Sequence, residues 1–172
     1  MTLHRCQVLA LTQLQFDLLE QEVRAVLVQP VGADLLNLLT ALCEPHHRAA
    51  WLSLLRSPLI GLLPEDLLIV SRSSSTLWKS IQSNHTDLST HSQHQLSCVA
   101  PLLKQALTQR NQTTHDWLWQ VWNQLEGPKA YSSSDQPAIA SFFSALKEYD
   151  RHALFPLHSF REHLETLYFS EL

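Results

Sequence analysis

Histidine is the residue type in this chain best suited to metal binding or acid–base chemistry. The chain has ten histidines in 172 residues, and His85, His91 and His94 fall in one polar stretch. Zinc sites usually have three or four ligands with supporting carboxylates, and an H-x-x-H pair spans a helix face less well than H-x-x-x-H. This spacing favours solvated polar histidines over a metal site, and the same interpretation applies to His46 and His47.

Two catalytic motifs are absent from the sequence. No nucleophile elbow G-x-S-x-G occurs, so Ser-His-Asp chemistry stays open only as a chance arrangement. The phosphate loop G-x-x-x-x-G-K-[ST] is also missing, and three glycines at positions 32, 61 and 127 cannot build a phosphate cradle. The sequence therefore predicts no catalytic residue, no metal or cofactor site and no nucleotide site in this chain.

The five tryptophans could stack on single-stranded bases or fill a core. Trp51, Trp117 and Trp122 lie in apolar stripes of helical spacing, which favours burial. Trp119 is out of phase with Trp117 and Trp122, so it is expected at the periphery. Trp78 and Trp119 are the better candidates for exposure, although neither has the flanking basic residues of a nucleic-acid groove.

Charge is unevenly distributed along the chain. Lys and Arg number 12 against 16 Asp and Glu, which gives a net charge of -4. Residues 46 to 111 have six bases and three acids, whereas residues 112 to 172 have four bases and eight acids. Affinity for phosphates comes largely from a basic footprint. Any contact with double-stranded DNA is therefore expected in the middle third, and it should be weak for this chain alone.

A leucine-rich stretch from Ala33 to Val70 organises the rest of the chain. Leucines at spacings of one, three and four predict a helix that begins near Ala33 and ends before Pro45. A second helix around Trp51 is predicted to stop at Pro58. Because few residues join the two helices, they are expected to pack side by side as an αα-hairpin.

An apolar loop, residues 57 to 63, follows the hairpin. An apolar loop with almost no charge is expected to be either core or contact surface. Its one glycine, Gly61, marks a position where φ is positive or where another group comes too close for a Cβ. Pro64 then predicts the start of a third helix, with Glu65 and Asp66 in its first turn.

The hairpin and the loop resemble the accessory 2B subdomain of the UvrD/Rep-like superfamily of DNA helicases. In that subdomain two helices, broken at N-P or D-D, precede the run P-x-x-G-I-G-x-x-x-L. The matching residues here are Glu44-Pro45, Pro58, Gly61, Leu62 and Leu67. The run LRSPLIGL at residues 55 to 62 is most similar to the exonuclease V β-subunit and AddA-like branch. A second match, WNQLEGP at residues 122 to 128, is similar to the W-x-x-L-G-G-P of part of that branch.

The resemblance implies a 2B-like accessory domain of an ATP-dependent DNA helicase or exonuclease, with no enzymatic activity of its own. ATP and Mg would belong to motor domains elsewhere in the parent protein, and the partners would be those domains and double-stranded DNA. In the family the G-I-G amides face DNA phosphates. Here Leu63 stands in place of the second glycine, and Glu65 and Asp66 would repel phosphate, so packing against a neighbouring domain is the alternative.

Seven residues are predicted to contact the DNA backbone or a neighbouring domain. They are Arg48, Arg56, Ile60, Gly61, Leu62, Leu63 and Arg72. Arg48 and Arg56 are eight residues apart and project within about 80° of one another on the second helix. They could equally form a solvated edge paired with Glu44 or Asp34. A second function stays open, a stand-alone helical adaptor that binds a protein partner through residues 57 to 63.

Few glycines and many leucines favour an all-α fold, with seven or eight helices around the hairpin and a possible short strand near the N-terminus. Residues 1 to 30 are interpreted as a segment cut from a neighbouring RecA-like domain, and residues 31 to 172 as the helical domain. Further helices are expected near residues 77 to 81, 96 to 108, 114 to 127, 137 to 149 and 156 to 168.

The expected location is the cytoplasm. Cys6, Cys43 and Cys98 form no C-x-x-C motif, which fits reduced thiols better than a disulfide framework. No apolar run approaches the ~18 residues of a membrane span, and the N-terminus lacks the pattern of a signal peptide. Neither a membrane nor a small-molecule substrate is therefore expected as a partner.

Overall fold

The computed structural model describes residues 29–72, 76–83, 86–110 and 112–152. Within these ranges it has eight α-helices, one 3₁₀ turn and no β-strand, so the predicted all-α class is confirmed. The possible strand and cut segment before residue 29, the interpretation of His85 and the helix predicted from Pro156 lie outside the described residues.

In chain order the helices are α1 (Pro30–Cys43), α2 (Arg48–Arg56), α3 (Pro64–Ser71), α4 (Leu77–Gln82), α5 (Thr90–Thr108), α6 (Thr114–Gln124), α7 (Gly127–Ala130), the 3₁₀ turn (Ser133–Asp135) and α8 (Gln136–His152). α1 is central and packs on α2, α5 and α8. α3 and α4 pack against α2, and α6 packs against α5, α7 and α8. One apolar core runs through all of these layers.

α1 and α2 form the predicted αα-hairpin, and they pack together more extensively than any other pair of described helices. α1 begins at Pro30, three residues before the predicted start, because proline fits the first position of a helix and lacks only an N–H that would be unpaired there. α2 begins after His47, whose Nδ1 accepts a hydrogen bond from the Ala50 amide at 3.2 Å.

The apolar stripes form the core as expected. On α1, Leu35, Leu38, Leu39 and Leu42 are buried, whereas Leu36 is only partly buried. On α2, Trp51 is fully buried, its Nε1 donates to the Pro45 carbonyl at 3.0 Å, and its ring stacks on Trp78 with 5.4 Å between centroids. Trp78, a candidate for exposure from the sequence, is therefore partly buried against the core.

α5 differs from its prediction. The helix starts at Thr90 and continues through Pro101, whereas the predicted helix spanned residues 96 to 108. The Ser89 side chain accepts a hydrogen bond from the Ser92 amide at 3.3 Å, so a polar cap starts the helix before its apolar stripe begins. Sequence periodicity detects the apolar stripe and therefore places the start too late.

α6 ends earlier than predicted. Its last residue is Gln124, and Gly127-Pro128 opens a separate turn, α7, instead of closing α6. The break is made by Glu126, which has a left-handed backbone with φ 57°. Gly127 is required for space, since a Cβ there would lie 2.3 Å from the Trp122 ring. Trp117 and Trp122 on α6 are buried, as predicted.

Candidate functional site

The predicted contact residues separate into two groups at opposite ends of α2. Arg48 is the first residue of α2 and Arg56 is the last, so they lie about 12 Å apart along the helix axis. α3 returns antiparallel to α2, because its last residue, Ser71, accepts a hydrogen bond from the Arg48 guanidinium. Arg72 therefore lies near Arg48, while Arg56 lies near the bend formed by residues 57 to 63.

The backbone of the bend is hydrogen-bonded within the chain. The amides of Ile60 and Gly61 donate to the Ser57 carbonyl at 3.1 and 2.8 Å, and the Leu62 amide donates to the Leu55 carbonyl at 2.9 Å. These three donors are already satisfied by carbonyl groups of the hairpin and the bend itself. A phosphate at the bend would have to compete with them.

The side chains of the bend face in two directions. Ile60 and Leu62 are buried in the core, whereas Leu63 is 43% exposed. Gly61 has φ 69°, and a Cβ added to it would meet no atom within 4 Å. Of the two reasons considered for this glycine, the structure gives the positive φ.

A buried carboxylate joins the start of α3 to the start of α5. Asp66 is only 4% exposed, and it accepts hydrogen bonds from the Ser89 amide at 3.0 Å, from the Ser89 hydroxyl, and from the Ser92 hydroxyl at 2.6 Å. The hydroxyls of Ser89 and Ser92 are the main cause of a lowered Asp66 pKa, so the carboxylate is ionised. The chain's own anion thus occupies the polar donors at the start of α5.

α3 buries the carboxylate of Asp66 beside the core residue Val70, and it exposes a leucine to solvent. Leu68 is 52% exposed, and Leu63 and Pro64 are exposed beside it. We call Leu63, Pro64 and Leu68 the apolar ridge. Neighbouring exposed apolar side chains of this kind are characteristic of a surface that contacts another molecule.

A cluster of cations lies at the other end of α3. Arg48 contacts the Ser71 carbonyl, Arg72 follows in sequence, and Lys79 precedes Ser80, whose hydroxyl donates to the Val70 carbonyl at 2.9 Å. We call Arg48, Arg72 and Lys79 the basic end. All three are exposed, and within the described ranges none forms an ion pair with a carboxylate.

Arg56 belongs to a different environment. It acts electrostatically on Asp34 of α1, whose carboxylate accepts a hydrogen bond from the Tyr131 hydroxyl at 2.7 Å. Burial raises the pKa of Asp34, and the Tyr131 bond and the Arg56 charge oppose that rise. Burial also raises the pKa of Tyr131. Of the partners considered for Arg56, Asp34 is the one beside it.

Two histidines of α5 lie close to other polar atoms. His91 Nε2 lies 3.3 Å from the Gly61 carbonyl, and His94 Nε2 lies 3.9 Å from the Cys98 sulfur. In the part of the chain that the structure describes, no three His, Cys, Asp or Glu side chains could share a metal ion. Cys43 and Cys98 are free thiols, and burial raises the pKa of Cys43 to about 11.

A groove of about 840 Å³ lies between α4 and α5. Its described walls include Ile81, Leu88 and Pro101, with His94 and Lys104 among the polar side chains. Among the described helices, none combines the length and the apolar character that crossing a membrane requires.

Sequence reasoning missed the Asp66 network, the exposure of Leu68 on α3 and the position of Lys79. A partial signal existed for Asp66, since acids in a first helical turn often accept polar donors. No pattern indicated Ser89 and Ser92 as those donors. The assignment of the seven contact residues stays a prediction, with their positions now divided between the bend and the basic end.

No family model matches the chain, and no curated protein matches it.

Proposed function

We propose that this chain is the 2B-like accessory region of an ATP-dependent DNA helicase or exonuclease of the UvrD/RecB type. It acts by contact, holding duplex DNA relative to motor domains of the same polypeptide. Those motor domains bind ATP and Mg and carry out the chemistry in the cytoplasm. The chain alone is expected to hydrolyse no ATP, since its sequence lacks a phosphate loop.

The observation that carries this proposal is the hairpin–bend–helix unit. The residues that carry the resemblance, from Glu44-Pro45 to Leu67, fall at its structural junctions: a break between two paired helices, a positive φ at Gly61, and a helix start at Pro64. A sequence match whose breaks coincide with the joints of one compact unit is better supported than a match of composition alone.

The second match gives independent support. In the motif W-x-x-L-G-G-P, the first glycine corresponds to Glu126, which has φ 57°, a conformation that favours glycine. The second glycine corresponds to Gly127, against which the Trp122 ring packs too closely for a Cβ. At both glycine positions of the motif, this chain thus has a local feature that favours glycine.

The two surfaces of α3 suggest how the domain would act. The apolar ridge suits docking on a motor domain, because docking would bury Leu63 and Leu68. The basic end suits the phosphates of duplex DNA, which are recognised without base specificity. Since α3 packs on α2 and α4, both surfaces would move together as one rigid body.

The coding DNA on either side of this chain provides the first test. Helicase motifs in the same reading frame on both sides support the proposal. Stop codons close to both ends contradict it, and they favour a stand-alone adaptor, which would use the exposed apolar ridge for a protein partner.

Docking can be tested with the motor domains encoded in that reading frame. The purified chain should bind them in calorimetry, and a Leu63→Ser, Leu68→Ser variant should weaken binding at least tenfold, about 1.4 kcal/mol. Gln105→Ser, Gln109→Ser is the control, because both side chains are exposed and lie at the end of α5, away from the ridge. Equal loss in both variants would contradict docking through the ridge.

DNA contact at the basic end can be tested by fluorescence anisotropy with a labelled duplex. The variant Arg48→Gln, Arg72→Gln, Lys79→Gln should reduce affinity about 30-fold at low salt and lower the slope of affinity against salt by about 2 to 3. The control Lys104→Gln, Lys129→Gln, Lys147→Gln removes the same charge from other exposed positions. If the control loses as much, net charge rather than the basic end governs binding.

A further inference from the structure

The face formed by α6 and α8 has an exposed tryptophan on a rigid support. Trp119 is 44% exposed, and its ring meets Phe143 of α8 edge to face, at 4.7 Å between centroids and 88° between planes. The Asn123 side chain donates to the Trp119 carbonyl at 2.7 Å. Large aromatic side chains held in one orientation are the residues that dominate binding energy at interfaces.

Two carboxylates lie at the first turn of α6, the helix that carries Trp119. Asp116 is one helical turn before Trp119, and its side chain is 63% exposed. His115 Nδ1 lies 2.9 Å from its carboxylate, and this hydrogen bond is the main cause of a lowered Asp116 pKa, so the group is ionised at neutral pH. Asp150 of α8 accepts a hydrogen bond from the His115 amide at 2.7 Å.

A cation of α8 also lies near this face. Lys147 is exposed and acts electrostatically on Asp116. The described residues 112 to 152 carry five acids against three bases, so this part of the chain is acidic in sequence. The face of an indole ring attracts a cation. On a helix, the Cβ atoms of two residues one turn apart, such as Asp116 and Trp119, are about 5–6 Å from each other.

We infer that this face, Trp119 with Asp116, binds an arginine-bearing segment of a partner protein. A guanidinium can stack on the indole and donate its planar N–H groups to a carboxylate at the same time, which an ammonium group cannot do equally well. The site is separate from the apolar ridge and the basic end, because α6 packs on α5, α7 and α8 while α3 packs on α2 and α4.

Titration of the full chain with the peptide acetyl-(Gly-Arg)₄-amide tests this inference. Binding is followed by NMR through the Trp119 indole N–H, with lysine and citrulline peptides of the same length as comparisons. The arginine peptide should bind best, the lysine peptide less well, and the neutral citrulline peptide at least tenfold more weakly than arginine. Equal binding of the citrulline peptide would overturn the inference in favour of apolar docking.

Variants locate the contact. Trp119→Leu and Asp116→Asn should each weaken binding of the arginine peptide about threefold. Trp119→Tyr should retain most binding, and Leu68→Ala on α3 should change nothing. Unchanged affinity in Trp119→Leu would overturn the inference.

The titration also tests whether another segment of the same chain covers Trp119. If it covers Trp119, no peptide binds and the indole is shielded from acrylamide quenching in the free chain, which also overturns the inference. Each of these failures would leave the proposed helicase function standing, since docking and DNA contact are measured with other variants.

Discussion

Glycine serves different purposes in two turns of this chain, the bend at Gly61 and the turn between α6 and α7. At Gly61, φ is 69° and a Cβ would meet no atom within 4 Å, so backbone conformation alone favours glycine. At Gly127 a Cβ would lie 2.3 Å from the Trp122 ring, while the positive φ falls on the preceding residue, Glu126. A glycine needed for space should therefore resist substitution more strongly than one needed for conformation.

Gly127→Ala is expected to have the largest effect and is the most direct test of this comparison. The added methyl group meets the ring of a tryptophan that is 1% exposed, so the ring or the turn must shift. We expect the free energy of unfolding to fall by about 3 kcal/mol. Denaturant unfolding measures the change, and the same substitution in a Trp122→Leu background provides the control. An equal cost in that background would show that the ring is not the cause.

Asp66→Asn tests the hydrogen bonds that join the start of α3, just after the Gly61 bend, to the start of α5. Loss of the charge weakens three hydrogen bonds from Ser89 and Ser92, so we expect a loss of about 2 kcal/mol at pH 7. The folded pKa of Asp66 is lowered below 3.8, so its stabilisation is complete above that value and is lost as the pH falls through the folded pKa. The difference between wild type and variant should therefore shrink below about pH 4. A difference independent of pH would contradict this account.

Gly61→Ala should lower the free energy of unfolding by about 1 kcal/mol, which is less than the loss for Gly127→Ala or Asp66→Asn. The left-handed conformation is unfavourable for alanine, and the loss is partly offset by the smaller entropy of the unfolded chain. Gly61→Asn should cost less still, because asparagine tolerates positive φ. In thermal unfolding, the melting temperature of the Gly61→Ala variant should be about 2–4 °C lower than that of the wild type. A larger fall for asparagine than for alanine would indicate a steric cause.

Glu126→Gly should have the smallest effect and the opposite sign. Glycine relieves the strain of φ 57°, and the lost ion pair with Lys129 is exposed on both sides and contributes little. We expect a gain of about 0.5 kcal/mol in the free energy of unfolding. Lys129→Ala is the control for the ion pair, and a net loss of stability in Glu126→Gly would contradict the assigned strain.

Much of the fold could be predicted from the sequence, because it depends on neighbours a few residues apart. Pro45 and Pro58 delimit the hairpin, Pro64 starts α3, and the positive φ of Gly61 was one of two reasons considered for the glycine. The boundary errors at α5 and α6 have local causes that apolar periodicity does not register. A polar cap at Ser89 starts α5 early, and the strained backbone of Glu126 ends α6 early.

Less of the candidate site could be predicted. The seven residues were selected by type and spacing, yet the structure buries Ile60 and Leu62 and exposes Leu63. The pairing of Arg48 with the end of α3 depends on how α3 returns along α2, which the sequence does not state. Whether these residues touch DNA or a motor domain stays a prediction.

The sequence by itself determined the helical class, the hairpin and the residues that break helices, since proline, glycine and the apolar period act within a few residues. Only the tertiary structure decided which polar groups are buried and which leucines are exposed. Asp66 is buried because Ser89, 23 residues away, supplies its donors, and Tyr131 reaches Asp34 across 97 residues. Contacts at such separations depend on the packing of whole helices, and so do the exposed surfaces that remain for partners.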